Sequence, residues 1–127
     1  MKLVLDTNRY ADMMRGEAAV VETIERAELT FLPFIVLAEL RAGFLGGARG
    51  KENESRLRDF LQKDPVRVLV PDEATTMHYA SIFQQLRHQG TPIPTNDMWI
   101  AALVLQHGLT LYARDSHFDH LAQLMRA

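Results

Sequence analysis

Short, nearly continuous apolar runs alternate along this chain with longer stretches in which apolar residues recur at helical spacing. Lys2 to Leu5, Thr30 to Leu32, Val66 to Val70 and Leu109 to Tyr112 predict strands, being short and rich in Val, Leu and aromatics. Their lack of polar alternation suits a parallel sheet covered on both faces. Between them, Val20, Val21 and Ile24 mark one helical face, and Leu57, Phe60 and Leu61 mark another that stops at Asp64-Pro65. Tyr79, Ile82, Phe83 and Leu86 follow i, i+3, i+4, i+7, and Gly90 with Pro92 ends that helix. A further helix starts near Pro33, and another runs from about Asn96, with Thr95 or Asn96 as its N-cap, to His107 before Gly108. The pattern is α/β, with a mostly parallel central sheet.

Four acids interrupt this pattern where polar loop meets buried element. Asp6 closes Leu3-Val4-Leu5, and Glu39 lies inside Phe34-Ile35-Val36-Leu37-Ala38-Glu39-Leu40. Asp97 stands in the first turn of the helix containing Trp99-Ile100-Ala101-Ala102, and Asp115 follows Leu109-Thr110-Leu111-Tyr112-Ala113. In an open parallel sheet the strand C-termini share one edge, and ligands bind there, which brings Asp6 and Asp115 to one crevice. Singly, each acid has an ordinary role: an Asx turn for Asp6, complementing a helix dipole for Asp97, capping the last helix for Asp115, an ion pair for Glu39. Jointly, four carboxylates at the border of a core suggest one shared cation, because crowded anions repel and resist ionisation without one.

The bulk composition narrows the chemistry. With 14 Lys+Arg against 16 Asp+Glu, the formal net charge is -2, so the chain lacks the broad basic field of many nucleic-acid binders. A polyanion must then be held by local cations or a metal. The absence of cysteine excludes thiolate metal sites, disulfides and cysteine nucleophiles. Oxygen ligands alone favour a hard ion, Mg²⁺ or Mn²⁺, able to polarise a phosphodiester and activate a bound water. A charge at the sixth residue argues against a signal peptide, and no apolar run approaches spanning length, so a cytoplasmic protein without a membrane partner is expected. At 127 residues and 47% hydrophobic, one domain over residues 1–127 is expected.

The motifs Leu5-Asp6-Thr7-Asn8, Ala38-Glu39-Leu40 followed by Gly43, Asn96-Asp97-Met98-Trp99-Ile100-Ala101-Ala102, and Arg114-Asp115-Ser116-His117-Phe118 resemble, in order and spacing, a PIN-domain ribonuclease of the VapC toxin type. The resemblance covers nearly the whole chain, and its most specific part is Asn-Asp-x-Trp-Ile-Ala-Ala. It implies a three-layer α/β/α fold and an Mg²⁺- or Mn²⁺-dependent endoribonuclease acting as toxin of a type II toxin-antitoxin pair. It further implies a cognate antitoxin and a homodimer or larger toxin-antitoxin assembly. By that resemblance Asp6, Glu39, Asp97 and Asp115 form the acidic tetrad that holds the ion and does the catalysis. Thr7, Asn8, Asn96 and Ser116 are candidate polar supports around it. The chain departs from many such relatives at Ala113, where they carry Thr or Ser, so one hydroxyl near the last acid is missing. Losing such a support typically costs about 10- to 100-fold in metal affinity or activity.

On the substrate side, the stretch from Arg41 to Arg67 carries seven basic residues against four acids. Arg41 and Arg49, flanking Gly46-Gly47, are the candidates there for RNA backbone contact. Gly46-Gly47-Ala48-Arg49-Gly50-Lys51 looks like a phosphate loop only in part, since Leu45 and Glu52 replace required residues and a helix precedes it. His117 and His120, near Asp115 and Asp119, have the spacing of a transition-metal cluster, although packing or surface roles are commoner for such residues. Electrostatics also allows an antitoxin to neutralise the acids by inserting an Arg or Lys. The alternative from another class is a catalytically weak or inactive PIN-like module that binds a basic peptide or RNA. A phosphatase using Asp6 fits poorly, because Asn8 stands where a second acid is needed.

Overall fold

The computed structural model describes residues 1–127. Its sheet has five strands, all parallel: β1 (Lys2–Leu5), β2 (Leu29–Pro33), β3 (Val66–Leu69), β4 (Thr110–Tyr112) and β5 (Met125–Arg126), in the order β3-β2-β1-β4-β5. The helices are α1 (Thr7–Met14), α2 (Ala18–Arg26), α3 (Phe34–Gly46), α4 (Gly50–Leu61), α5 (Glu73–Gln89) and α6 (Thr95–His107), with a 3₁₀ turn at Ser116–His120. Right-handed crossovers place α1 to α4 on one face of the sheet and α5 and α6 on the other, the three-layer arrangement expected. The four patterned strands appear at or within two residues of their predicted bounds. β5 was not anticipated, because two residues bridging to Thr110 and Leu111 carry no periodic signal.

β1 is the centre of the sheet and of the core: Leu3, Val4 and Leu5 are each 0% exposed. The chain leaves β1 toward β2 and β3, then returns to the opposite side of β1 as β4. The direction of winding therefore reverses between β1 and β4, and their C-terminal ends diverge into a crevice. That crevice lies immediately before Asp6 and Asp115.

α6 explains why Asp97 is held firmly. Met98 and the run Ile100 to Val104 are buried, and Trp99 stacks on Tyr79 with ring centroids 4.1 Å apart. This locks α6 against α5. The helix ends at Gly108, whose φ of +61° is the left-handed C-cap conformation that glycine adopts without a Cβ penalty. Its start differs from expectation: Pro94 is the N-cap, and Thr95 and Asn96 are already helical without capping side-chain bonds. Proline's fixed φ sets the entry, which frees the Asn96 side chain for another task. No helix is long and apolar enough to cross a membrane.

Candidate metal centre

Asp6 is the first residue beyond β1, and its backbone N–H bonds the Tyr112 carbonyl at 3.2 Å, so its position is set by the β1–β4 ladder. Its Oδ1 accepts from the Thr7 N–H at 2.8 Å, capping α1. Asp115 caps the 3₁₀ turn in the same manner, Oδ1 accepting from the His117 N–H at 2.9 Å. The ordinary roles of these acids are thus real, yet each occupies a single oxygen. Oδ2 of both residues accepts no hydrogen bond from the protein. A capping carboxylate with one locked and one open oxygen is a pre-oriented ligand.

Glu39 projects from the exposed side of α3, while Val36 and Leu40 turn into the core. It is oriented at both oxygens: Thr7 Oγ1 donates to Oε1 at 2.8 Å and Asn96 Nδ2 to Oε2 at 3.5 Å. Two of the four candidate supports, Thr7 and Asn96, therefore act on Glu39, tying α1 and α6 to α3. Asn8 and Ser116 make no side-chain hydrogen bond.

The acids sense one another. Burial, first, and then the negative charges of Asp97, Glu39 and Asp115 push Asp6 up to about 6, partly offset by the Thr7 N–H. Asp97 is also raised, chiefly by burial, with Asp115 and Glu39 adding to it and a hydrogen bond from His117 opposing it. The structure thus gathers Asp6, Glu39, Asp97 and Asp115 at the crevice. Asp6 and Asp97 are held above the ordinary carboxylate range, chiefly by burial. Grouped hard oxygen donors of this kind fit a divalent cation.

His117 is the functional neighbour that sequence reasoning undervalued. Its Nδ1 lies 2.9 Å from Asp97 Oδ2 and 3.0 Å from Asp115 Oδ1, so Asp97, Asp115 and His117 could share one ion. His120, the other histidine with the spacing of a transition-metal cluster, is not part of this group, and Asp119 bonds Arg126. The signal that could have found it is the two-residue offset from Asp115, which a tight turn folds back onto the acid.

The proposed RNA-contacting arginines fare differently. The Arg41 fork is spent internally, its Nε and Nη2 donating to Glu54 at 3.1 and 3.0 Å, while Glu54 also accepts from Arg58. Arg41 thus pairs α3 with α4 while lining the same groove as Arg49. Arg49 is exposed at the α3–α4 corner, lining a groove of about 990 Å³ with Lys51 and Arg58. None of the four acids lines that groove. The Gly47-to-Arg49 turn links two helices, as rejection of a phosphate loop requires. Ala113 is buried, 4% exposed, and its carbonyl accepts from Arg126 Nη2 at 3.0 Å.

A small parallel α/β domain with an acid cluster at the switch point of its sheet is the class that fold and site define. Residues 3–124 match the PIN domain model, and the chain belongs to the PIN-domain family. It is 36% identical over 123 residues to the plasmid stability protein StbB of Pseudomonas syringae pv. tomato, spanning 90% of this chain and 88% of that one. It is 34% identical over 119 residues to the ribonuclease VapC1 of Haemophilus influenzae strain R2866, spanning 89% and 83%. The structure of VapBC-1 from nontypeable Haemophilus influenzae superposes with a TM-score of 0.86 at 27% identity, covering 100% of this chain and 97% of that one.

Proposed function

We propose that this protein is a divalent-metal-dependent endoribonuclease and the toxin of a VapC-type toxin-antitoxin pair. The observation that carries the reading is the convergence of four acids on the β1–β4 crevice, with the open Oδ2 atoms of Asp6 and Asp115 beside Asp97. The 34% identity to a VapC ribonuclease supports the substrate class, and the likeness to VapBC-1 supports a cognate antitoxin and an assembly of more than one chain.

Asp6, Asp97 and Asp115 would hold Mg²⁺ or Mn²⁺. When bound, the ion would polarise the scissile phosphodiester and lower the pKa of an attacking water. Glu39, held at its two oxygens by Thr7 and Asn96, would orient that water or accept its proton. The β1–β4 ladder and the buried face of α6 hold the acids in place, and a bound cation would offset their mutual repulsion. His117 supplies either a nitrogen ligand, which would favour Mn²⁺ over Mg²⁺, or a hydrogen bond that orients Asp97. Excess EDTA should abolish RNA cleavage by the purified protein and Mn²⁺ should restore it. Undiminished cleavage in EDTA would refute the mechanism.

A further inference from the structure

Beside the acid cluster lies a second, oppositely charged one. Asp12 of α1 is 1% exposed and accepts four hydrogen bonds: Arg9 Nη1 at 3.3 Å, Arg114 Nε at 3.0 Å, Arg114 Nη2 at 3.3 Å, and Arg15 Nη2. Four donors fill the acceptor capacity of a carboxylate, so Asp12 is fully satisfied. It brings one negative charge to three guanidiniums, far more cation than a structural ion pair needs. Arg15 also approaches the exposed Glu17 at 3.7 Å, and the charge of Glu17 is felt at Arg114 as well, so against these two acids the three arginines keep one positive charge in surplus.

Arg9 and Arg114 adjoin the acids. Arg9 follows Asp6 by one helical turn, on the same side of α1. Arg114 directly precedes Asp115, and the charge of Asp6 is felt at its guanidinium. Arg114 spends Nε and Nη2 on Asp12 and keeps Nη1 free, with its side chain half-exposed. Arg9 is flattened over the Tyr112 ring, 4.6 Å from its centroid, and its Nε is shut off from solvent with no hydrogen-bond partner. With Nε closed off and Nη1 on Asp12, Arg9 keeps Nη2 uncommitted, as Arg114 keeps Nη1, both on side chains at the edge of the anionic site.

We propose that Asp12 holds Arg9 and Arg114 as a cradle for an RNA phosphate flanking the scissile one. The inference rests on the ribonuclease reading and adds where the substrate backbone sits. It also answers how a chain of net charge -2 attracts a polyanion to four carboxylates: the two guanidinium charges are pre-ordered by Asp12, each with one outer nitrogen uncommitted, so little side-chain entropy is lost on binding.

The test measures affinity of the full chain carrying Asp97→Asn for a short single-stranded RNA in EDTA, across a series of salt concentrations. Arg9→Gln and Arg114→Gln should each reduce the slope of log affinity against log salt by about 0.7, and together weaken binding roughly tenfold. Arg26→Gln, in the last turn of α2 and paired with Glu22, should leave the slope unchanged. Arg114→Lys retains the charge and should retain most of the slope, which separates phosphate contact from fold damage. Unchanged slopes in both Gln variants, an equal change in Arg26→Gln, or no RNA binding at all would overturn the cradle. A loss of antitoxin binding with RNA affinity intact would overturn it as well, in favour of a protein partner. Cleavage by the wild-type chain in Mn²⁺, measured alongside, reports separately on the ribonuclease reading.

Discussion

Asp6 and Asp12 lie six residues apart at the two ends of one short helix, both nearly inaccessible, and their electrostatics are opposite. Asp6 is 5% exposed, has one hydrogen bond and three like-charged neighbours, and is pushed up to about 6. Asp12 is 1% exposed, and its hydrogen bonds from Arg114 first, then Arg9, with the nearby charge of Arg15, hold it below the ordinary carboxylate range. Burial is common to both; partners decide the outcome. A buried carboxylate surrounded by guanidiniums is a fixed structural charge, and one set among other carboxylates is suited to ligating a cation. The first kind rigidifies, and the second does chemistry.

Removing a member of the under-compensated set should cost activity and little else. Asp97→Asn is expected to reduce RNA cleavage roughly a thousandfold, because it deletes a ligand charge with almost no change in volume. Its urea unfolding midpoint should stay within error of wild type or rise, so a drop in stability matching the drop in turnover would break the contrast. The over-compensated acid should behave in reverse. Asp12→Asn leaves three guanidiniums facing one another around a buried amide, costing about 2–3 kcal/mol after allowance for the solvent around Arg15 and Arg114. Equilibrium urea unfolding reads that loss directly.

The pH dependence sharpens the same comparison. For Asp6 the folded-state pKa of about 6 lies above the ordinary 3.8, so its neutral form favours folding below 3.8, and that advantage is lost as pH rises through 6. Metal-free protein should accordingly lose up to about 3 kcal/mol between pH 4 and pH 7, with Asp97 contributing in the same direction. Asp6→Asn should flatten that slope, and saturating Mn²⁺ should remove most of it. Asp12 has the opposite sign: its contribution is present above 3.8 and is lost as pH falls through its depressed pKa. A metal-free stability that rises steadily from pH 4 to pH 7 would contradict the assignment of Asp6.

Smaller effects test the supports. Thr7→Val removes the hydroxyl that fixes Glu39 Oε1 and should lower activity about 10-fold, at the modest end of the range for such contacts. Ala113→Thr restores the hydroxyl carried by many relatives, but Ala113 is 4% exposed and closely packed. The gain in turnover should therefore be only a few-fold and come with a lower unfolding midpoint from overpacking, both measurable on one preparation.

Element types were legible along the chain because burial imposes a period: β1 and α6 announce themselves through Leu3-Val4-Leu5 and Trp99-Ile100-Ala101-Ala102. The four acids were equally legible, since a charge is conspicuous where apolar residues are the rule. The spacing Arg9, Asp12, Arg15 was also there to read as i±3 pairing on one helix turn, but each residue alone passes for ordinary surface charge.

Contacts across the fold had no such marker. Asp12 meets Arg114 across 102 residues, Glu39 meets Asn96 across 57, and His117 reaches back 20 to Asp97. Hydrophobic period is a local property, enforced residue by residue by water, so the linear chain displays it. The pairing of one charge with another depends on which strand ends the sheet brings together. The chain marked Asp6 as an acid at a strand end, but that Asp12 is the one surrounded by arginines follows from β4 lying beside β1, which brings Arg114 to it.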